Sequence, residues 1–227
     1  MNILSEYFPS DTSRESLLAA QRIVARKAKI KDDVGDLRLI AGVDQAFVKD
    51  KIISGIVVLD YGSLDVVGSV HSVETVSYPY IPTFLSFREG PAIVSAFRKL
   101  KNPPDILMVD GAGINHPRFA GIATHIGVAL NVPTIGITKK ILCGKGVEPS
   151  QEGEASPLVH EGKIVGWVLK SREKTKPIIV APGHRVSLES SLSIAKACLH
   201  GHKLPEPARL AHEYVNELKR KLSESLF

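Results

Sequence analysis

Three successive segments, "LRLIAGVDQAFV", "KIISGIVVLDY" and "DVVGSVHSVETVS", are β-branched runs joined by short turns. They predict a three-stranded antiparallel meander. Ahead of them, "PSDTSRESLLAAQRIVARKAKI" carries apolar residues at helical spacing and basic residues toward its end, with Ser10, Asp11 or Thr12 as the cap. After the meander the pattern changes to an alternation of helices and buried strands. "GPAIVSAFRKL" reads as a helix with Pro91 in its first turn. "PDILMVD" is an unbroken apolar run, the mark of a buried parallel strand. "HPRFAGIATHIGVALN" reads as a helix and "VPTIGITK" as the next buried strand. "GKIVGWVLKS" and "KPIIVAP" add two more strands, and "SLESSLSIAKACLH" and "PEPARLAHEYVNELKRKL" close the chain as helices. Between Cys143 and His160 lies a long segment rich in Gly, Glu and Ser, read as a loop.

The order from the meander onward is β-β-β-α-β-α-β-β-β-α-α. It implies an α/β fold: one mixed sheet, an antiparallel meander plus parallel strands, flanked by helices. The ribonuclease H-like fold has this order. At 227 residues the chain suits a single domain, 1–227. A net charge of +5 favours anionic partners, nucleic acid first. The two cysteines, Cys143 and Cys198, form neither a metal-type pair nor a disulfide framework, which fits a reducing, cytoplasmic setting. No apolar stretch is long enough to span a bilayer and the N-terminus lacks a signal-peptide pattern, so no membrane partner is expected.

Candidate chemistry gathers at strand ends. Asp44 lies inside the apolar strand "LIAGVDQAF" and Asp110 ends "ILMVD". Either alone fits a turn-former or helix cap. Together, on strands that can be neighbours, they make a carboxylate pair. Such a pair raises one pKa unless a cation intervenes, and it suits Mg²⁺ or Mn²⁺. Glu89 is either a charge favouring a helix dipole or a third carboxylate at the same edge. His212 on "ARLAHEYV" fits a packed or surface histidine as well as a ligand. The stretch "VDGAGINHPRFAG" joins a strand to a helix with three glycines, so a ligand can approach its backbone. His116 in it could contact a phosphate or cap the helix. Lys139 and Lys140 follow "TIGIT" and are either solvated surface or phosphate ligands. "PGHRVS" again ends a strand and begins a helix. These stretches are expected to converge on one sheet edge, where open α/β sheets bind ligands. Finally, in "SYPYIPTFLSFREG" two prolines stiffen the loop that carries Tyr80.

Taken in order, "AGVDQAF", "PYIP", "FREGP", "ILMVDGAGINHPR", "GIATHIGV", "PTIGITKKILCG", "GHRVSLESS" and "LPEPARLAHE" resemble the endonuclease V family, from about Arg38 to Leu218. The resemblance implies a metal-dependent endonuclease that acts at deaminated adenine (inosine) in DNA repair. It would hydrolyse the second phosphodiester bond 3′ to the lesion, leaving 3′-hydroxyl and 5′-phosphate ends. It implies Mg²⁺, with Mn²⁺ able to substitute, held by Asp44, Asp110, His212 and Glu89, and Lys139 near the cleaved phosphate. It makes Tyr80 a wedge that fills the space left by an extruded base. The base would enter a pocket near Thr83, Leu85, Gly111, Gly113, His116, Ile122 and Leu142. A core anchor is the other reading of Tyr80. The partner implied is inosine-containing DNA, with RNA left open, and the enzyme would act as a monomer.

The chain departs from the family pattern at Thr83, where glycine is usual, at Ala112, where a polar residue is frequent, and at Gln45, where a small apolar residue is common. Other readings remain: an inosine-directed ribonuclease, a structure-selective nuclease such as a junction resolvase, or a module that binds nucleic acid without cutting it.

Overall fold

The computed structural model describes residues 3–225. Eight strands form one sheet: β1 (Leu39–Val48), β2 (Lys51–Asp60), β3 (Val66–Thr75), β4 (Ile106–Asp110), β5 (Thr134–Thr138), β6 (Ala155–His160), β7 (Lys163–Leu169) and β8 (Ile178–His184). Their spatial order is β3-β2-β1-β4-β5-β8-β7-β6. The first three strands make the expected antiparallel meander. Strands β1, β4 and β5 run parallel, and β8, β7 and β6 return antiparallel.

Period-2 alternation sends successive residues to opposite faces. Ile40 on β1 joins Val57, Met108, Ile135 and Val180 on one face. There they pack against α4 (Leu188–Ala197) and α5 (Glu206–Ser225), through Ala195 and Ala211. Ala41 and Val43 join Ile56, Leu107 and Val109 on the other face. There they meet α2 (Leu85–Phe97) and α3 (Ile122–Leu130), through Ile93 and Ile126. The N-terminal helix α1 (Arg14–Lys27) lies outside this second layer, where its Leu17 and Ala20 pack on Tyr78, Phe84 and Phe87.

One glycine sets the position of α5. A Cβ on Gly42 would lie 1.7 Å from the Pro207 carbonyl oxygen, so only glycine lets the helix start rest on β1. Two residues along the strand rise about 6.7 Å and five along a helix about 7.5 Å. From the Gly42–Pro207 contact, those rises carry His212 over Asp44.

Several local expectations are corrected. The cap of α1 is Ser13, whose hydroxyl accepts from the Ser16 N–H, while Asp11 holds Ser13 in place. Helix α2 starts at Leu85, so Pro91 lies in its interior and leaves the Phe87 carbonyl without its helical donor. Glu89 is therefore a buried residue of the second turn, and no acidic residue occupies the first. Helix α3 starts only at Ile122, so residues 116–121 are turn and coil rather than helix. The segment read as a loop holds β6, an edge strand that carries Pro157, with only Leu158 fully buried. Finally, β8 pairs antiparallel with β5, His184 opposite Thr134. "PGHRVS" therefore leaves the sheet at the end opposite Asp110, and only its Pro182 meets the glycine loop, its carbonyl accepting from the Ile114 N–H at 2.9 Å.

Candidate active site

Strands β1 and β4 are parallel neighbours with Val43 opposite Val109, so the next residue of each, Asp44 and Asp110, sit side by side. Helix α5 adds His212, whose Nδ1 lies 2.7 Å from Asp44 Oδ2. Ligand atoms of Asp44, Asp110 and His212 all lie within 4.8 Å of one another. The Gln45 backbone N–H donates to the other Asp44 oxygen at 2.7 Å. From the end of β5, Lys139 Nζ stands 3.8 Å from Asp110 Oδ2. Glu89 lies outside the group of three, yet close enough to feel both aspartates.

The electrostatics are those of a crowded anionic site. Burial, then the charge of Asp44, pushes Asp110 up to about 6 against the pull of Lys139 and His212. Burial, then Asp44 and Asp110, raises Glu89 to about 8. A hard divalent cation would relieve this repulsion, and carboxylate oxygens with one imidazole are donors that such a cation accepts. The residues present therefore fit a metal, and Asp44, Asp110 and His212 are the group that could hold one.

Beside this cluster opens a cavity of about 100 Å³. Tyr80, Thr83, Leu85, His116, Ile122 and Leu142, all named from the sequence, line it. Pro82, Ser86, Ala112 and Gly121 line it as well and were not foreseen. Gly111 and Gly113 do not line it. They act behind its wall: a Cβ on Gly111 would meet the Ile122 side chain at 2.2 Å, and one on Gly113 the Pro182 carbonyl at 2.3 Å. Cavity and cluster share chain segments. Ala112 follows Asp110 by two residues, and Glu89 follows Ser86 by less than one helical turn.

Tyr80 stands on the rim, 67% exposed. The loop's anchor is Tyr78 instead, buried against Leu17, Phe84 and Phe87, with its carbonyl accepting from Arg88 Nη1 at 3.0 Å. The core-anchor reading of Tyr80 therefore fails. His116 is 3% exposed with both ring nitrogens engaged. Nδ1 accepts from the Arg118 N–H, so the proton sits on Nε2, which donates to the Thr83 carbonyl at 3.0 Å. It neither caps α3 nor has a free nitrogen for a phosphate.

Sequence reasoning also missed Gln21, Arg88 and Arg118. For Gln21 a signal existed: it sits at helical spacing among Leu17, Ala20 and Val24, a polar residue on a buried stripe. Arg118 lacked one, since its partners are distant in sequence.

A buried and a half-buried carboxylate side by side on parallel strands, with an imidazole from α5 and a lysine after β5, beside a rimmed cavity, make the site of a nuclease that hydrolyses phosphodiester bonds. The Endonuclease V family model matches residues 19–213, and the chain belongs to that family. It is 40% identical to the Endonuclease V of Thermosipho melanesiensis over 213 residues, covering 93% of this chain and 94% of that protein. Against the Endonuclease V of Archaeoglobus fulgidus the identity is 42% over 211 residues, covering 92% and 95%. The crystal structure of the Bacillus subtilis protein superposes with a TM-score of 0.91 at 29% identity, covering 97% of this chain and 98% of that one. Among the described residues no helix is long and apolar enough to cross a membrane.

Proposed function

We propose that the protein recognises inosine in DNA and hydrolyses the second phosphodiester bond 3′ to it, leaving 3′-hydroxyl and 5′-phosphate ends, as a step in DNA repair. The observation that carries this is the adjacency of the acidic cluster to a cavity with an exposed tyrosine on its rim. A Ciona intestinalis Endonuclease V of the same fold, TM-score 0.82, has been crystallised with a 24mer DNA containing an inosine followed by a ribo-adenosine.

The roles follow from position. Tyr80, held between Pro79 and Pro82, fills the stack vacated by the extruded base at little ordering cost. Thr83, Leu85, Ile122 and Leu142 enclose the base, with His116 as a neutral wall, and the Gly111 and Gly113 turns let the backbone approach it. Asp44, Asp110 and His212 hold Mg²⁺, or Mn²⁺ in its place, and Glu89 completes the anionic set. When bound, the cation supplies Lewis acidity toward the phosphate and its attacking water. Lys139, already drawn to Asp110, would steady the phosphate charge. The protein would act as a monomeric single domain in the cytoplasm.

Matched inosine, uracil and undamaged strands, each as DNA and as RNA, test this in Mg²⁺. The expected result is one cut, immediately 3′ of the inosine's 3′ neighbour, in the inosine DNA alone or in its RNA counterpart too. Preference for an undamaged four-way junction would assign a resolvase instead. Tight binding to inosine strands with no cut in Mg²⁺ or Mn²⁺ would reduce the protein to a binding module.

A further inference from the structure

Thr83 has φ 69°, in the left-handed region that favours glycine. The residue is held there from three directions. Its carbonyl accepts from Gln21 Nε2 at 2.7 Å, from Arg118 Nη2 at 2.9 Å and from His116 Nε2 at 3.0 Å. Arg118 Nη2 also reaches the Thr83 hydroxyl at 2.6 Å. The two outer donors are tied together, because Arg118 Nε donates to Gln21 Oε1 at 2.5 Å. The guanidinium lies 4.8 Å over the Phe84 ring, which fixes its plane. Gln21 is wholly buried, and both ends of its amide are used.

Two consequences follow. A carbonyl oxygen has two lone pairs and this one already meets three donors, so it has no capacity left for a bound base. Neither Gln21 nor Arg118 lines the cavity, whereas Thr83 does. The first of the pair comes from α1, a helix that contributes nothing else to the site. We propose that Gln21 and Arg118 are positioning residues for base selection: they lock the Thr83 turn, and so the cavity's width, without touching the substrate. This deepens the inosine reading and rests on it. Selection at the Thr83 carbonyl would then work by shape, because its lone pairs are spent inside the protein.

The test compares single-turnover cleavage of an inosine strand and a matched undamaged strand in Mn²⁺, reading the ratio of the two rates. Gln21→Glu keeps the acceptor for Arg118 but replaces the donor to Thr83 with an oxygen that repels its carbonyl. It should keep the wild-type thermal midpoint within a few degrees while the ratio falls about tenfold, the size of one hydrogen bond to a fixed acceptor. Gln21→Ala should lower the ratio as well. Thr83→Gly in the Gln21→Glu background should restore part of it, because glycine holds this φ without the clamp. A ratio unchanged in Gln21→Glu overturns the proposal. So does a fall of both rates by the same factor with a lowered midpoint, which would make Gln21 a stabilising contact only. A wild type that cuts both strands equally would instead remove the inosine reading, and this inference with it.

Discussion

The two halves of the site are built on opposite principles. At the acidic cluster, Asp110 and Glu89 are held where their own charges are disfavoured, both carboxyls pushed upward by burial and by their neighbours. At the cavity wall, the polar atoms of Thr83, His116, Gln21 and Arg118 are spent on one another. An anionic cluster short of counter-charge is an invitation to a cation. A carbonyl whose lone pairs are already taken has only shape to offer at that point of the wall. The two aspartates also sit on strands at the centre of the sheet, where register fixes each side chain, whereas the Thr83 part of the wall is a turn held by side-chain clamps.

If the contrast is right, Asp110→Asn gives the largest effect. Cleavage of the inosine strand should fall below detection while binding to it survives, and the protein without metal should melt higher because like charges have been separated. Wild-type rates in saturating Mg²⁺ would remove Asp110 from the chemistry and collapse the division of labour.

Next in size is Tyr80→Ala. It removes one stacking contact worth roughly 1–3 kcal/mol, which is about one to two orders of magnitude in affinity. The ring face matters and the hydroxyl does not, so Tyr80→Phe should bind like wild type. Anisotropy titrations of an inosine strand against the three proteins decide this. Wild-type affinity in the alanine variant would remove the wedge.

The pH dependence of stability follows from the cluster alone. Glu89 has a folded pKa of about 8 against an ordinary 4.5, and Asp110 about 6 against 3.8. In both cases the folded state holds its proton more tightly than the unfolded chain. Stability is therefore greatest below the ordinary values and is lost as pH rises through the folded ones. In EDTA the thermal midpoint should fall between about pH 4.5 and 8, and Mg²⁺ should flatten that fall, with its largest stabilisation near pH 8. A midpoint in EDTA that climbs across this window would show that the carboxyls are not crowded.

The smallest effect belongs to Thr83→Gly. Relief of the left-handed backbone gains roughly 1–2 kcal/mol, while a freer unfolded chain costs about 0.5–1 and the lost hydroxyl bond to Arg118 about 1.5. The net change should be on the order of 1 kcal/mol or less by urea titration. A loss of several kcal/mol would mean that the hydroxyl, not the carbonyl, carries the clamp.

What the chain settles by itself is what depends on neighbours a few residues away. β-branched runs and short turns set the meander, and a run such as "ILMVD" has no stable place except inside a sheet. Asp44 and Asp110 were legible because a charge within such a run is costly without a purpose. The Tyr80 loop was legible because proline fixes its own φ wherever it stands. Pro157 and the exposed positions around it hid β6, since an edge strand needs neither continuous burial nor every donor. Tertiary structure alone decided that β8 runs antiparallel to β5, which moved "PGHRVS" to the far end of the sheet. It also brought Gln21 and Arg118, 97 residues apart, onto one carbonyl. Strand direction and long-range hydrogen bonds depend on where the chain returns in space, and that path is set by packing of the whole sheet and its helices rather than by local pattern.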